Sequence, residues 1–193
     1  LTNGTSIVDV TTDPYNPTEV AFIPGGYSTW RDIKTWDRYM YVGTEASDGI
    51  QVVNIEDPEN AELVYTWTQI SSSHNIHIHD GYLYIVGASG NDIHILDLSN
   101  PAQPVKVGGW NGEYIHDLYV RGDIIYACGI YSSTVYIIDV SDKSNPVTIT
   151  DWSYSGMAHA CWLTEDGNYL VTADETSGGY IRIWDISNYS NIN

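Results

Sequence analysis

Five short segments of this chain share one pattern, and their spacing constrains the fold more than any other feature. They are "SIVDV" (6–10), "QVVNI" (51–55), "HILDL" (94–98), "YIIDV" (136–140) and "RIWDI" (182–186). Their fourth residues, Asp9, Asn54, Asp97, Asp139 and Asp185, lie 45, 43, 42 and 46 positions apart. A second alignment runs upstream of the last four: "RDIKTWDRYMYVG", "HNIHIHDGYLYIVG", "HDLYVRGDIIYACG" and "HACWLTEDGNYLVTAD". In it Arg31, His74, His116 and His159 each stand ten residues before a tyrosine, Tyr41, Tyr84, Tyr126 and Tyr169. Self-similarity at a period of this length is the signature of a repeat architecture.

Each period reads as four short strands. In one they are "HDLYV", "IIYAC", "TVYIIDV" and "PVTITDW", joined by tight polar or Gly-containing loops. Apolar and polar residues alternate with period two, and no amphipathic helical pattern of useful length interrupts them. Four antiparallel strands per unit of about 40 to 45 residues predict an all-β fold, a β-propeller of four-stranded antiparallel blades. The blade repeats fall at about 1–26 (partial), 27–70, 71–112, 113–154 and 155–193 (partial), a single domain of four to five blades. The count opens at the third strand of one blade and stops after the third strand of the last. That predicts part of a larger ring, or a ring completed by another chain, since open propeller edges invite strand pairing.

Composition narrows the partners. The 193 residues hold 25 acidic against 7 basic side chains, a net charge of −18. Such a field repels nucleic acid and anionic membrane and favours cations. No apolar run approaches the roughly 18 to 20 residues that span a bilayer, so no transmembrane segment is expected. No secretory signal is visible, and an opening Leu rather than Met is read as a mature or trimmed end. Aromatic usage is 16 Tyr and 7 Trp against one Phe, rings with a polar edge that suit a half-wet β-surface. Cys128 and Cys161 lie in no CxxC pair. Free core thiols and a single disulfide both stay open.

The stretches "WRDIKTWDRYMYVGTEASDGIQVVNI", "HNIHIHDGYLYIVGA", "IHILDLSNPAQPV", "YIHDLYV" and "HACWLTEDGNYLVTADET" resemble the choice-of-anchor B proteins, built from repeats named after an "LVIVD" motif. The likeness covers nearly the whole chain. It implies a propeller of six or seven blades on an exported bacterial protein, often tethered by a C-terminal device. Against that pattern the 193 residues stop short, which agrees with a partial ring. The resemblance implies no reaction.

Propeller geometry would gather the repeated residues at the start of each inner strand into a ring at one mouth of the channel. His74, His116 and His159 are thus the candidate metal ligands, with Arg31, Asp32, Asn75 and Asp117 as neighbouring ligand-binding residues. Imidazole suits zinc or another transition metal, and the Asp and Asn oxygens would admit calcium. The alternative is that each His satisfies buried backbone groups where the strands converge. Arg31 weakens the ring as a metal shell because guanidinium stays protonated. The loops "TEASDG" (44–49), "GASGND" (87–92) and "DETSGG" (174–179) would emerge on the same face, bringing Glu45, Asp48, Asp92, Asp174 and Glu175 to the rim. Asp174 and Glu175 are further ligand-binding candidates, although none of these acids follows the spacing of a calcium loop. His77 and His79, at i and i+2, vary to Lys34 and Trp36, Tyr119 and Arg121, and Trp162 and Thr164 in the other blades, which reads as local packing. The repeated Asp at each strand end reads as a turn-fixing acceptor, a role Asn54 can share. Trp30, Trp110, Trp152 and Tyr154, near the connections between blades, could stack on sugars or pack against turns.

No nucleophile motif, Walker loop or dinucleotide fingerprint occurs. The sequence therefore predicts a non-enzymatic binding module, extracellular or at the cell surface, with a protein or glycan partner on the loop face. A divalent metal ion at the mouth is the expected cofactor. The alternatives are a metal-assisted hydrolase or lyase acting on extracellular polymers, and a structural subunit that self-associates through open blade edges.

Overall fold

The computed structural model describes residues 2–88 and 92–193; the side chain of Asp92 also lies outside the described residues. The described residues form 17 strands in five antiparallel sheets. The first sheet pairs β1 (Gly4–Asp9) with β2 (Thr18–Pro24). The second runs β3 (Arg31–Trp36), β4 (Tyr39–Thr44), β5 (Ile50–Asn54) and β6 (Glu62–Trp67) as a meander. The third repeats it with β7 (Asn75–His79), β8 (Tyr82–Ala88), β9 (Asp92–Asp97) and β10 (Val105–Asn111). The fourth is β11 (Asp117–Arg121), β12 (Ile124–Gly129), β13 (Thr134–Asp139) and β14 (Val147–Ser153). The fifth has three strands, β15 (Ala158–Leu163), β16 (Tyr169–Asp174) and β17 (Ile181–Asp185). These sheets are the blades that the repeat predicts, with two strands in the first and three in the last.

Local chemistry explains why the repeats fold alike. The hairpins between the first two strands of the second, third and fourth sheets close on two-residue loops, Asp37–Arg38, Asp80–Gly81 and Gly122–Asp123. Asp37, Asp80, Gly81 and Gly122 have φ between 51° and 76°, the left-handed region that such tight hairpins demand. The fifth sheet has a longer loop, in which the Asp166 carboxylate accepts from Thr164 Oγ1 and from the N–H of Asn168. At the third-strand ends, Asp9, Asn54, Asp97, Asp139 and Asp185 each accept a hydrogen bond from the backbone N–H two residues on. Each of the next turns repeats one bond, from Asn16, Asn60, Gln103, Asn145 and Asn191 N–H to the carbonyl three residues back. A bulge interrupts the pairing of third and fourth strands in all four sheets that have both. Bulges add twist, which lets each sheet sit obliquely on its neighbour.

The core lies between blades. One slab joins Tyr84, Val86, Ile93 and Ile95 to Ile115, Leu118, Ile125 and Ile138. Another joins Tyr41, Ile50, Val52 and Trp67 to Ile76, Leu83, Ile85 and Leu96. A third joins Cys128, Val135 and Ile137 to Cys161, Leu163 and Leu170. No single blade could bury both faces, so stability depends on this stacking. Cys128 and Cys161 are both free thiols in the third slab, and Cys161 Sγ lies 3.3 Å from the Tyr126 carbonyl. The innermost strands β3, β7, β11 and β15 stand side by side in that order. Among the described residues no helix is long and apolar enough to cross a membrane.

Candidate metal site at the channel mouth

Three imidazoles separated by more than forty residues in sequence form one column. His74 and His116 have ring centroids 4.1 Å apart, and His116 and His159 4.4 Å. Trp30 closes the far end, stacked on His74 at 4.5 Å with only 5° between the planes. His74 owes its place to Gly87: a β-carbon there would stand 2.2 Å from His74 Cβ, and φ is +65°. His159 sits in a bulge of β15, between Ala158 and Ala160, which re-aims its side chain.

The acids of the loops between second and third strands flank the column. Glu45 Oε1 lies 2.8 Å from His74 Nδ1. Glu175 Oε2 is 3.9 Å from His116 Nε2, and its Oε1 is 4.0 Å from His159 Nε2. The ligand atoms of His116, His159 and Glu175 all fall within 4.8 Å of one another. Burial, with the neighbouring His74 and His159, pushes His116 down to about 4, so this imidazole is neutral at pH 7. Its Nδ1 lies 3.2 Å from the His159 carbonyl and can only donate to that oxygen. The proton is therefore on Nδ1, and the lone pair of Nε2 points to Glu175. A tetrahedral zinc ion holds its ligand atoms about 3.3 Å apart, so the two Glu175 contacts would each contract by roughly 0.6 to 0.7 Å. The exposed Glu175 carboxylate can supply that movement.

The other sequence candidates divide by what they touch. Arg31 turns away from the imidazole column, with its guanidinium on the carbonyls of Gly26 and Ser28. Asp174 is sealed from solvent, accepting from Arg182 and the N–H of Tyr180. Asp48 caps the N–H of Gly26. Asp32, Asn75 and Asp117 point into the channel below the column. There Asp32 Oδ2 accepts from Ile76 N at 2.9 Å and Asn75 Nδ2 reaches the His116 carbonyl at 3.5 Å, tying neighbouring inner strands together. His79 Nε2 accepts from Gly122 N at 2.8 Å, a local tie of the same sort. Two features were not anticipated from sequence. Tyr114 meets Tyr131 at 5.1 Å with the rings tilted by 43°, and burial, Tyr131, Glu45 and Glu175 together raise its phenol. Glu113 accepts from Ser132 and Tyr136, fixing the loop that carries Tyr131. The pairing of "GEY" (112–114) with "IYSS" (130–133) across a known blade register is the signal that could have found both.

Stacked antiparallel meanders, with inner strands side by side, define a β-propeller. The LVIVD repeat matches residues 71–111, 115–152 and 155–193, and the chain belongs to that repeat family. No curated protein sequence matches it. Among solved structures it is similar to a functionally unknown protein from Desulfotomaculum acetoxidans, at 12% identity and TM-score 0.75, covering 95% of this chain and 59% of that one. It is also similar to the β-propeller domain of Myceliophteria thermophila Cps50 (Swd1), at 15% identity and TM-score 0.63, covering 89% and 56%. The computationally designed Ika4 protein matches at 16% identity and TM-score 0.63, covering 87% and 98%. The chain thus spans somewhat over half the length of the two natural proteins.

Proposed function

We propose that this propeller is a non-enzymatic binding module of the cell exterior, of the choice-of-anchor B kind, whose loop face holds a divalent transition metal on His116, His159 and Glu175. The observation that carries the metal is the convergence of two imidazole Nε2 atoms on one carboxylate, with the tautomer of His116 set by a backbone carbonyl. A backbone carbonyl bonded to the far ring nitrogen orients a metal-bound histidine in this way. The acidic composition, net −18, supports a cation-rich exterior and a loop face that attracts positive charge. A protein or glycan partner would meet this face.

The test is zinc titration by calorimetry, with metal content measured after purification without chelator. One zinc per chain is expected in the wild type, with binding weakened at least tenfold in His116→Ala, His159→Ala and Glu175→Gln. Equal, negligible binding in all four proteins would remove the metal from this reading. Three protein ligands leave a fourth position open, which favours metal-assisted hydrolysis or elimination on extracellular polymers as a second reading. Turnover of a polysaccharide and ester panel, lost in His116→Ala, would establish it.

A further inference from the structure

Below the imidazole column, the channel wall holds a second site that the mouth does not use. A cavity of about 230 Å³ opens between the inner strands, lined by Asp32, Lys34, Asn75, His77, Asp117 and Trp162 among others. Its charges do not balance. Lys34 Nζ lies 2.6 Å from Asp32 Oδ1, and the other Asp32 oxygen caps Ile76 N–H, so that carboxylate is engaged. Burial pushes His77 down to about 4, which leaves it neutral at pH 7. Asp117 is different. Its Oδ1 accepts only from the N–H of its own neighbour Leu118, and among the described residues no basic side chain lies within ion-pair distance of it. Two carboxylates and one ammonium leave a net charge of −1 in a partly dry space.

Two rings, His77 and Trp162, stand in the wall of that space. His77 meets Tyr119 edge-on at 5.5 Å, and Tyr119 meets Trp162 at 4.5 Å, a band of rings across β7, β11 and β15. Trp162 is 63% exposed although it belongs to an inner strand. It stands between this cavity and an adjoining one of about 240 Å³ that also reaches Asp117. The far end of the band already carries a cation, since the Arg121 guanidinium lies 5.7 Å from the Tyr119 ring centre.

We propose that this cavity binds a small organic ammonium cation, its charge against the Asp117 carboxylate and its methyl or methylene groups on the Trp162 ring. Aromatic faces attract cations most strongly when both are withdrawn from water, and quaternary ammonium groups are the ligands best suited to such walls. A hard metal ion would need more oxygen ligands than Asp117 and Asn75 supply. The other groups facing Asp117 are Asp32 and Lys34 on β3, His77 on β7 and His159 on β15.

Ammonium binding here needs no metal at the mouth, and the experiment keeps the two sites apart. Choline is titrated into the protein by calorimetry at pH 7.5 in the presence of EDTA, beside 3,3-dimethylbutanol, its neutral isostere. Saturable choline binding is expected, at least about tenfold tighter than that of the alcohol. Trp162→Ala and Asp117→Asn should each weaken it by about tenfold or more, with melting curves showing that both variants fold. Should Asp117→Asn fail to fold, Trp162→Ala decides alone, because its ring is largely exposed. No saturable choline binding, equal binding of the alcohol, or unchanged affinity in Trp162→Ala would overturn the proposal.

Discussion

His94 on β9 offers the sharpest test of how the blades are held together. It is 9% exposed, its ring lies edge-on to Trp67 at 6.0 Å, and neither of its nitrogens has a protein hydrogen-bond partner among the described residues. Burial, with a smaller contribution from Lys106, holds it down from the usual 6.5 to about 4. At ~1.4 kcal/mol per pH unit, that difference separates the two protonation states by ~3 kcal/mol. The folded state binds the proton less tightly than the unfolded chain. The stability tied to a neutral His94 is therefore complete above about pH 6.5 and is lost as the pH falls towards 4. Between pH 7 and pH 5 the loss comes to ~2 kcal/mol. His94→Leu removes the titration and keeps an apolar group of similar size in the slab. Urea unfolding of both proteins at the two pH values gives the difference directly. Relative to the variant, the wild type should weaken by ~2 kcal/mol on acidification, while His77 and His116 add equally to the acid lability of both. A wild-type-to-variant difference that stays constant within about 0.5 kcal/mol would show that His94 is neither dry nor neutral in the fold.

Three further outcomes follow from the packing. Leu96→Ala, which empties a fully buried position between the second and third sheets, should cost about 2–5 kcal/mol by chemical denaturation. Asp32→Ala strips the cap from the buried Ile76 N–H and should cost about 1–3 kcal/mol, whereas Asp32→Asn should recover part of it. Cys128 and Cys161, both buried and with the Cys128 thiol pushed well up, should react with a thiol reagent only after denaturant is added.

The fold was largely legible because a propeller blade is specified locally. The "VVNI" and "IIDV" strands are apolar on both faces and send successive side chains into opposite slabs, the Asp or Asn at their ends accepts from the N–H two residues on, and the two-residue hairpins carry residues that tolerate positive φ. Tertiary packing had only to repeat these instructions. The site was legible in its backbone positions and not in its side-chain directions. Arg31 shares a register with the histidines, yet its long side chain folds back on the carbonyls of Gly26 and Ser28 in the β2–β3 connection. Asp174 and Glu175 are neighbours, but alternation sends one to Arg182 and leaves the other beside the imidazoles. Which one faces the mouth depends on the register of β16 with β17, where Ala173 pairs with Ile181, and loop length alone does not set it. The channel band was hidden for a different reason: His77, Tyr119 and Trp162 are chemically unlike, so the repeat alignment reads them as unrelated, whereas edge-on and tilted ring contacts unite them.

Crystals grown with zinc, measured above and below the zinc absorption edge, test the central claim most directly. The account predicts one anomalous peak at the channel mouth, about 2.0–2.2 Å from Nε2 of His116, Nε2 of His159 and a carboxylate oxygen of Glu175. An empty mouth, or zinc bound only at surface acids away from these three residues, would contradict it.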